Sequence, residues 1–387
     1  MKSKFLLSVA LAFITFAAVP ASAAVKIGMI TTLTTKAGYL GEDIRDGFLL
    51  AIEQGGGKLG GIEVELLVDD DGRKPGKGRE IAERFIKGDK VKILTGIVFS
   101  NVAKAVVPKV LKDNAFYISP NAGPSEFAGK DCHRHYFNAA WQNDNLHEVM
   151  GKYVTDAGYK NAYILAPNYP AGKDALTGFK RYYKGEIAGE VYTKLGQSDY
   201  AAELANLRAA NPEAVFFFLP GGMGINFLKQ YSQAGLNQSI PVFGPAFSFD
   251  ARLVNAVGDA AVGVFNGSQW NHDLDNSANQ AFIKAFKAKH GRSPTLYASQ
   301  GFDTANLIGS ALKATGGNPS DMPAFRAALQ KADFVSVRGN FRFSSNQHPI
   351  QDIYVRKVVK NADGFQNVTV QKVFTDHSNA YVGDCSL

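Results

Sequence analysis

The chain has 387 residues, 45% of them hydrophobic and 20% charged, with a formal net charge of +7. This is globular composition, which excludes a disordered chain, and the length exceeds what one compact core organises, so two domains are expected. The basic excess is spread out, with no arginine-rich or aromatic-interleaved block, which argues against nucleic acid and suits acidic solutes.

The chain opens with Lys2 and Lys4, an apolar stretch from Phe5 to Val19 and the small-residue site Ala21-Ser22-Ala23. Residues 1–23 therefore read as a secretory signal cleaved before Ala24. The apolar run is short for a membrane span, and a lipoprotein anchor would need a cysteine where Ala24 stands. The mature protein is expected outside the cytoplasmic membrane. There Cys132 and Cys385, the only cysteines, either pair and tie the C-terminus to the Cys132 segment or stay free. The "CHRHY" run around Cys132 lacks zinc-site spacing and reads as a surface loop, so no metal is expected.

A regular alternation follows. "AVKIGMI" reads as a buried strand, and "GEDIRDGFLLAIEQGGG" as a helix with Ile44, Phe48, Leu49 and Ile52 at helical spacing and three glycines as its stop. "GIEVELLVDDD", "VKILTGI" and "AFYIS" are further strands, separated by the helices "GKGREIAERFIKGDK" and "VAKAVVPKVLKDN". Short apolar strands between helices imply a parallel, doubly wound sheet, whose ligands sit beyond the carboxyl ends of the strands. The stretch "TGIVFSNVAKAVVPKV" marks such an end: an apolar run stops at Ser100-Asn101 and a helix begins, leaving backbone N–H groups open to an anion.

A second α/β series follows "RHYFNAAWQND", with strands "NAYILAP", "PEAVFFFLP", "IPVFGP" and "AVGVFNGS" and helices such as "GGMGINFLKQYSQAGL" between them. From Asn276 to Lys331 the pattern turns helical, and these helices need a sheet to cover, which the first series supplies. The chain closes with the strand pairs "GNFRF" and "QDIYVRKVVKNADGFQNVTVQKVF".

The exported start, the run from "KIGMITTLTTKAGYLGEDIRDGF" to "REIAERFI", and then "ILTGIVFSNVAKAV", "YISPNAGPSEF" and "PVFGPAF" together resemble the leucine/isoleucine/valine-binding family of solute-binding proteins. The likeness runs in order along nearly the whole mature chain. It implies an α/β fold of two doubly wound parallel-sheet lobes joined by three hinge strands, a type I periplasmic binding protein. The implied lobes are residues 24–138 plus 269–341, and 139–268 plus 342–387, with crossings near Phe137 to Ala140, Phe265 to Ser268 and Phe341 to Ser344. Trp141 and Trp270 would flank two hinges and read as partly buried aromatics rather than ligand contacts. The partners implied are a small-molecule carboxylate ligand and an ABC permease in the inner membrane, with the protein a periplasmic monomer that needs no cofactor.

In that family the serine ending the strand grips the ligand carboxylate, and it matches Ser100, flanked by Phe99 and Asn101; a purely structural N-cap is the alternative role. A second strand end matches Asn121, Ala122 and Gly123. Amino-acid-binding members place an acidic residue after "GP" and a threonine in the first lobe to hold the α-ammonium, but here those positions are Ala246 and Gly123. An ammonium buried without a carboxylate is strongly disfavoured, so an α-amino acid fits poorly. Aromatic residues stand instead: Phe247 and Phe249 after Ala246, Phe99 before Ser100, and Tyr169 where the family carries a cleft tyrosine. A planar aromatic acid of the benzoate or hydroxycinnamate kind suits such a cleft, with a branched-chain or other amino acid as the alternative. Tyr39 and Asn121 could hydrogen-bond the ligand, Arg45 and His348 are candidate counter-charges, and Tyr297 and Asp303 would border the rim.

Two other classes fare worse. A regulator or receptor built on this fold would lack the export signal or carry a membrane span. An enzyme would need a phosphate loop, an H-E-x-x-H zinc motif or a nucleophile elbow, and none is written here.

Overall fold

The computed structural model describes residues 23–387 except Asp363, so the secretory-signal reading falls almost wholly outside the described residues. Ten elements build the first half: β1 (Val25–Thr31), α1 (Tyr39–Gln54), β2 (Lys58–Leu59), β3 (Ile62–Asp70), α2 (Pro75–Glu83), β4 (Ile93–Thr95), α3 (Ser100–Lys112), β5 (Phe116–Ser119), α4 (Ser125–Ala128) and β6 (Tyr136–Asn138). Their six-stranded sheet has the order β2-β3-β1-β4-β5-β6. All neighbours run parallel except β2 and β3, which pair antiparallel.

The middle of the chain supplies α5 (Asn145–Asp156), β7 (Asn161–Pro167), α6 (Pro170–Tyr182), β8 (Glu186–Thr193), α7 (Ala201–Ala210), β9 (Ala214–Phe217), α8 (Gly222–Gln233), β10 (Val242–Pro245), α9 (Ala251–Val257) and β11 (Phe265–Ser268). After α10 (Ser277–His290), α11 (Leu296–Ala314) and α12 (Met322–Lys331) come β12 (Arg342–Phe343), β13 (Pro349–Asn361) and β14 (Gly364–His377). The second sheet runs β12-β13-β11-β10-β9-β7-β8, with β14 also on β13. Strands β7 to β11 pair parallel, whereas β13 is antiparallel to β11, β12 and β14. Both sheets have the parallel core expected for doubly wound lobes, and each is finished at an edge by a hairpin.

Strand alternation sorts the core. Ala162, Ile164 and Phe216 point into one buried cluster, while Tyr163, Leu165, Val215 and Phe217 point into a second on the opposite face. The late helices cover the first sheet as the sequence implied, and α11 lies along α1 so closely that a Cβ on Gly47 would run into the Ala298 carbonyl. Only glycine admits that approach.

The chain passes from one sheet to the other after β6, β11 and α12. Arg338, buried, pins two of these passages: its guanidinium donates to the Ala139 and Ala140 carbonyls and to Gln351, and pairs with Asp303 at 3.0 Å. Asp303 is thus a buried structural partner rather than a residue of the cleft rim. Cys132 and Cys385 form a disulfide.

Candidate functional site

Between the sheets lies a small cavity lined from both of them. One wall is the carboxyl edge of the first sheet. After β4 the backbone stays extended through Phe99 (φ −101°, ψ 132°), which is the residue before α3. Ser100 is therefore the first helical residue, not an N-cap, and its side chain caps nothing. The opening amides of a helix have no carbonyl four residues back, so they and the positive end of the helix dipole face whatever lies in front.

The Ser100 hydroxyl is oriented from behind. Asn143 Nδ2 donates to Ser100 Oγ at 3.1 Å and to Asp174 Oδ2 at 2.8 Å, while Asn143 Oδ1 accepts from the Gly123 amide at 3.0 Å. With its oxygen already accepting, Ser100 has its own O–H left to donate to a ligand. Asp174 sits one layer back: burial first, then the neighbouring Asp144, raise its pKa, and Ser125 donates to it through both amide and hydroxyl. Asn121 lines the same wall but is held by a 2.6 Å bond from its Nδ2 to the Val98 carbonyl.

A run of rings leads from that wall to the facing one. Phe99 lies 6.3 Å from Tyr169, Tyr169 stacks on Phe218 at 6.2 Å, Phe218 meets Phe247 edge-on at 5.7 Å, and Phe247 contacts Trp141 at 4.6 Å. Tilted and edge-on pairs of this kind are the geometries that aromatic quadrupoles favour. His147 from α5, Tyr297 from α11 and Leu40 from α1 complete the lining with Val98, Ala122, Ala171 and Pro220. Burial raises the phenols of Tyr169 and Tyr297 and lowers His147 to about 3, so all three are neutral. Among the described residues no Asp, Glu, Lys or Arg lines the cavity.

Seven residues singled out in the sequence meet here: Phe99, Ser100, Asn121, Ala122, Tyr169 and Phe247, with Tyr297, which was expected at the rim. Five others do not line the cavity. Phe249 is fully buried in the second cluster against Phe217, at 5.3 Å, and its carbonyl accepts from Asn367 at 2.8 Å. Ala246 is buried where β10 turns, and Gly123 packs behind the wall, where a Cβ would strike the Trp141 carbonyl. Asn101 faces away with a buried Oδ1 that no donor meets. Tyr39 instead closes the cleft: its hydroxyl donates to Asp250 at 2.7 Å, and Arg252 lies 4.7 Å over its ring while pairing with Asp43 at 3.2 Å.

Of the remaining candidates, Arg45 pairs with Asp46 at 2.8 Å and His348 is buried with Nδ1 2.9 Å from the Asn346 carbonyl, so neither reaches the cavity. Trp141 lines it, against the reading of both tryptophans as bystanders, whereas Trp270 is core and donates to Asn279 at 2.7 Å. Sequence reasoning missed His147, Asn143 and Phe218. Among the described residues no cluster of three or more His, Cys, Asp or Glu is placed to hold a metal ion, and no helix is long and apolar enough to cross a membrane.

The sequence pattern of the family described as periplasmic binding protein matches residues 24–364. A solute-binding protein of an ABC transporter from R. palustris, solved with benzoate, superposes with a TM-score of 0.89 at 31% identity, over 94% of this chain and 100% of its own. A second, from Rhodopseudomonas palustris BisB5 with 3,4-dihydroxybenzoic acid, gives 0.85 at 29% identity over 92% and 99%. Leu/Ile/Val-binding protein homolog 2 of Brucella abortus is 24% identical over 352 residues, 86% of this chain and 89% of that protein.

Proposed function

The chain belongs to the periplasmic binding protein family, the solute-binding components of ATP-binding-cassette importers, and from that premise we propose that it captures a carboxylated aromatic molecule of the benzoate or hydroxycinnamate kind. The family role is binding rather than catalysis, in the periplasm and in partnership with a permease. One observation carries the finer reading: a cavity whose polar end is an open helix start with the Ser100 hydroxyl, whose flank is a continuous run of rings, and whose lining holds no carboxylate for an ammonium.

In this reading the ligand carboxylate accepts from the Ser100 hydroxyl and the first amides of α3, charge-assisted bonds that need no counter-cation. Its ring packs among Phe99, Tyr169, Phe247 and Trp141. Closure of lobes 24–138 plus 269–341 and 139–268 plus 342–387 around the ligand brings Tyr39 to Asp250 and Arg252 to Asp43, and the inner-membrane permease takes up that closed monomer. The R. palustris proteins solved with benzoate and 3,4-dihydroxybenzoic acid support the ligand class.

The test is calorimetric titration of refolded, ligand-stripped protein with benzoate, 4-hydroxybenzoate, 4-hydroxycinnamate and leucine. An aromatic acid is expected to bind in the micromolar range or tighter while leucine does not. Leucine binding without any aromatic acid would return the cleft to the amino-acid class, with Asp174 behind Asn143 as the candidate ammonium partner.

A further inference from the structure

His147 lies near the N-terminal end of α5 and lines the cavity, yet it is only 1% exposed. Its Nδ1 has no hydrogen-bond partner. Its ring lies among others: Phe218 at 5.1 Å, Phe247 at 5.7 Å and Phe216 at 5.8 Å. Asn143 on the same lining is engaged by the protein through both ends of its amide, and Asn121 through its Nδ2, which leaves Asn121 Oδ1 as the other buried acceptor on this lining without a partner. A phenylalanine would fill the same space with nothing left unsatisfied, whereas a buried polar group without a partner is a standing cost to the fold.

We propose that His147 is the specificity-determining residue of the cleft, hydrogen-bonding a hydroxyl on the ligand's ring, so that a hydroxylated aromatic acid is preferred over the bare one. The proposal rests on the aromatic-acid reading above and narrows it. Burial alone pushes the imidazole down to about 3, so it is neutral, with one ring nitrogen a donor and the other an acceptor. A phenolic O–H can donate or accept and matches whichever nitrogen it meets. A bare ring carbon there leaves the imidazole unpaired, and discrimination arises from that missing bond rather than from shape.

The experiment compares benzoate with 4-hydroxybenzoate and 3-hydroxybenzoate by calorimetry on the wild type, His147→Phe and His147→Gln. The wild type should bind at least one hydroxybenzoate about tenfold or more tighter than benzoate. His147→Phe should erase that preference, so that benzoate and the hydroxybenzoates bind alike, and His147→Gln, which keeps a donor and an acceptor, should retain part of it. Wild-type affinity should be flat from pH 6 to 8, with a binding enthalpy independent of the buffer's ionisation enthalpy. If benzoate and the hydroxybenzoates bind the wild type alike, the inference fails while the aromatic-acid reading stands; if His147→Phe keeps the preference, it fails too, and the phenols of Tyr169 and Tyr297 become the groups that read the hydroxyl. Proton uptake with tighter binding toward pH 6 also overturns it, because the imidazole would then pair as a cation with the carboxylate. If no aromatic acid binds at all, the functional reading falls and this inference with it.

Discussion

The two walls of the cleft begin from the same device and end in opposite chemistry. On the first, β4 leads through extended Phe99 into the thirteen-residue helix α3, whose start no side chain caps. On the second, β10 ends in a tight three-residue turn, Ala246–Ser248, and the seven-residue α9 is capped by its own Asp250, which accepts from the Arg252 and Leu253 amides. A helix start can receive a foreign anion only where the chain has not already supplied one. The first wall thus keeps an uncapped helix start, and the second, its helix satisfied from within, has the ring of Phe247 to offer.

The sharpest way to break this contrast is to remove the two phenylalanines that flank the turn's last residue. Phe249→Ala should destabilise the fold by about 3–5 kcal/mol in urea unfolding, because the ring is wholly core, yet leave aromatic-acid affinity within a few-fold on folded protein. A large loss of affinity at unchanged stability would place Phe249 in the cleft after all. Ser100→Ala should weaken carboxylate binding by about 1.5–3 kcal/mol, roughly 10- to 150-fold, and barely touch an uncharged benzamide; equal losses for both would refute the charge-reading wall. Phe247→Leu is expected to cost aromatic acids about 0.5–1.5 kcal/mol and an aliphatic acid nothing, checked by the same titrations.

The smallest effect concerns the bond that joins the walls. Burial, opposed by the Tyr39 hydroxyl, sets the Asp250 carboxyl at about 6 instead of the usual 3.8. The folded protein therefore holds this proton more tightly than the unfolded chain, so the associated stability is present below about pH 4 and is lost as pH rises through 6. Tyr39→Phe removes a donor to the charged form and should move that loss to higher pH, with about 0.5–1.5 kcal/mol of stability gone at pH 7. Overlapping urea midpoints across pH 4 to 7 for mutant and wild type would show that the pair contributes nothing.

Much of the architecture was legible because buried parallel strands are written as short apolar runs. "NAYILAP" and "VKILTGI" could be read on sight, and the late helices announced that they needed a sheet. Strand β8 escaped: it is an edge strand, largely exposed to intermediate, and carries no apolar run. Phe249 was misplaced for a geometric reason. Residues two apart share a face in a strand, but Ala246–Ser248 is a 3₁₀ turn, so Phe247 and Phe249 diverge into cavity and core. Asp303 could not be paired with Arg338 from sequence, since 35 residues separate them. His147 stands among the ordinary helix-forming residues "NLHEVMGKY" with nothing beside it to mark a site.

The disulfide gives the C-terminal segment a mechanical role. Tyr381 is held by Asp144 and Arg181, beside the second sheet, with its hydroxyl donating to Asp144 at 2.8 Å, while Cys385 is bonded to Cys132, beside the first. Four residues of extended chain reach at most about 14 Å. The segment is therefore a strap of fixed reach alongside the three passages of the chain, tying the Asp144–Arg181 corner beside the second sheet to Cys132 beside the first.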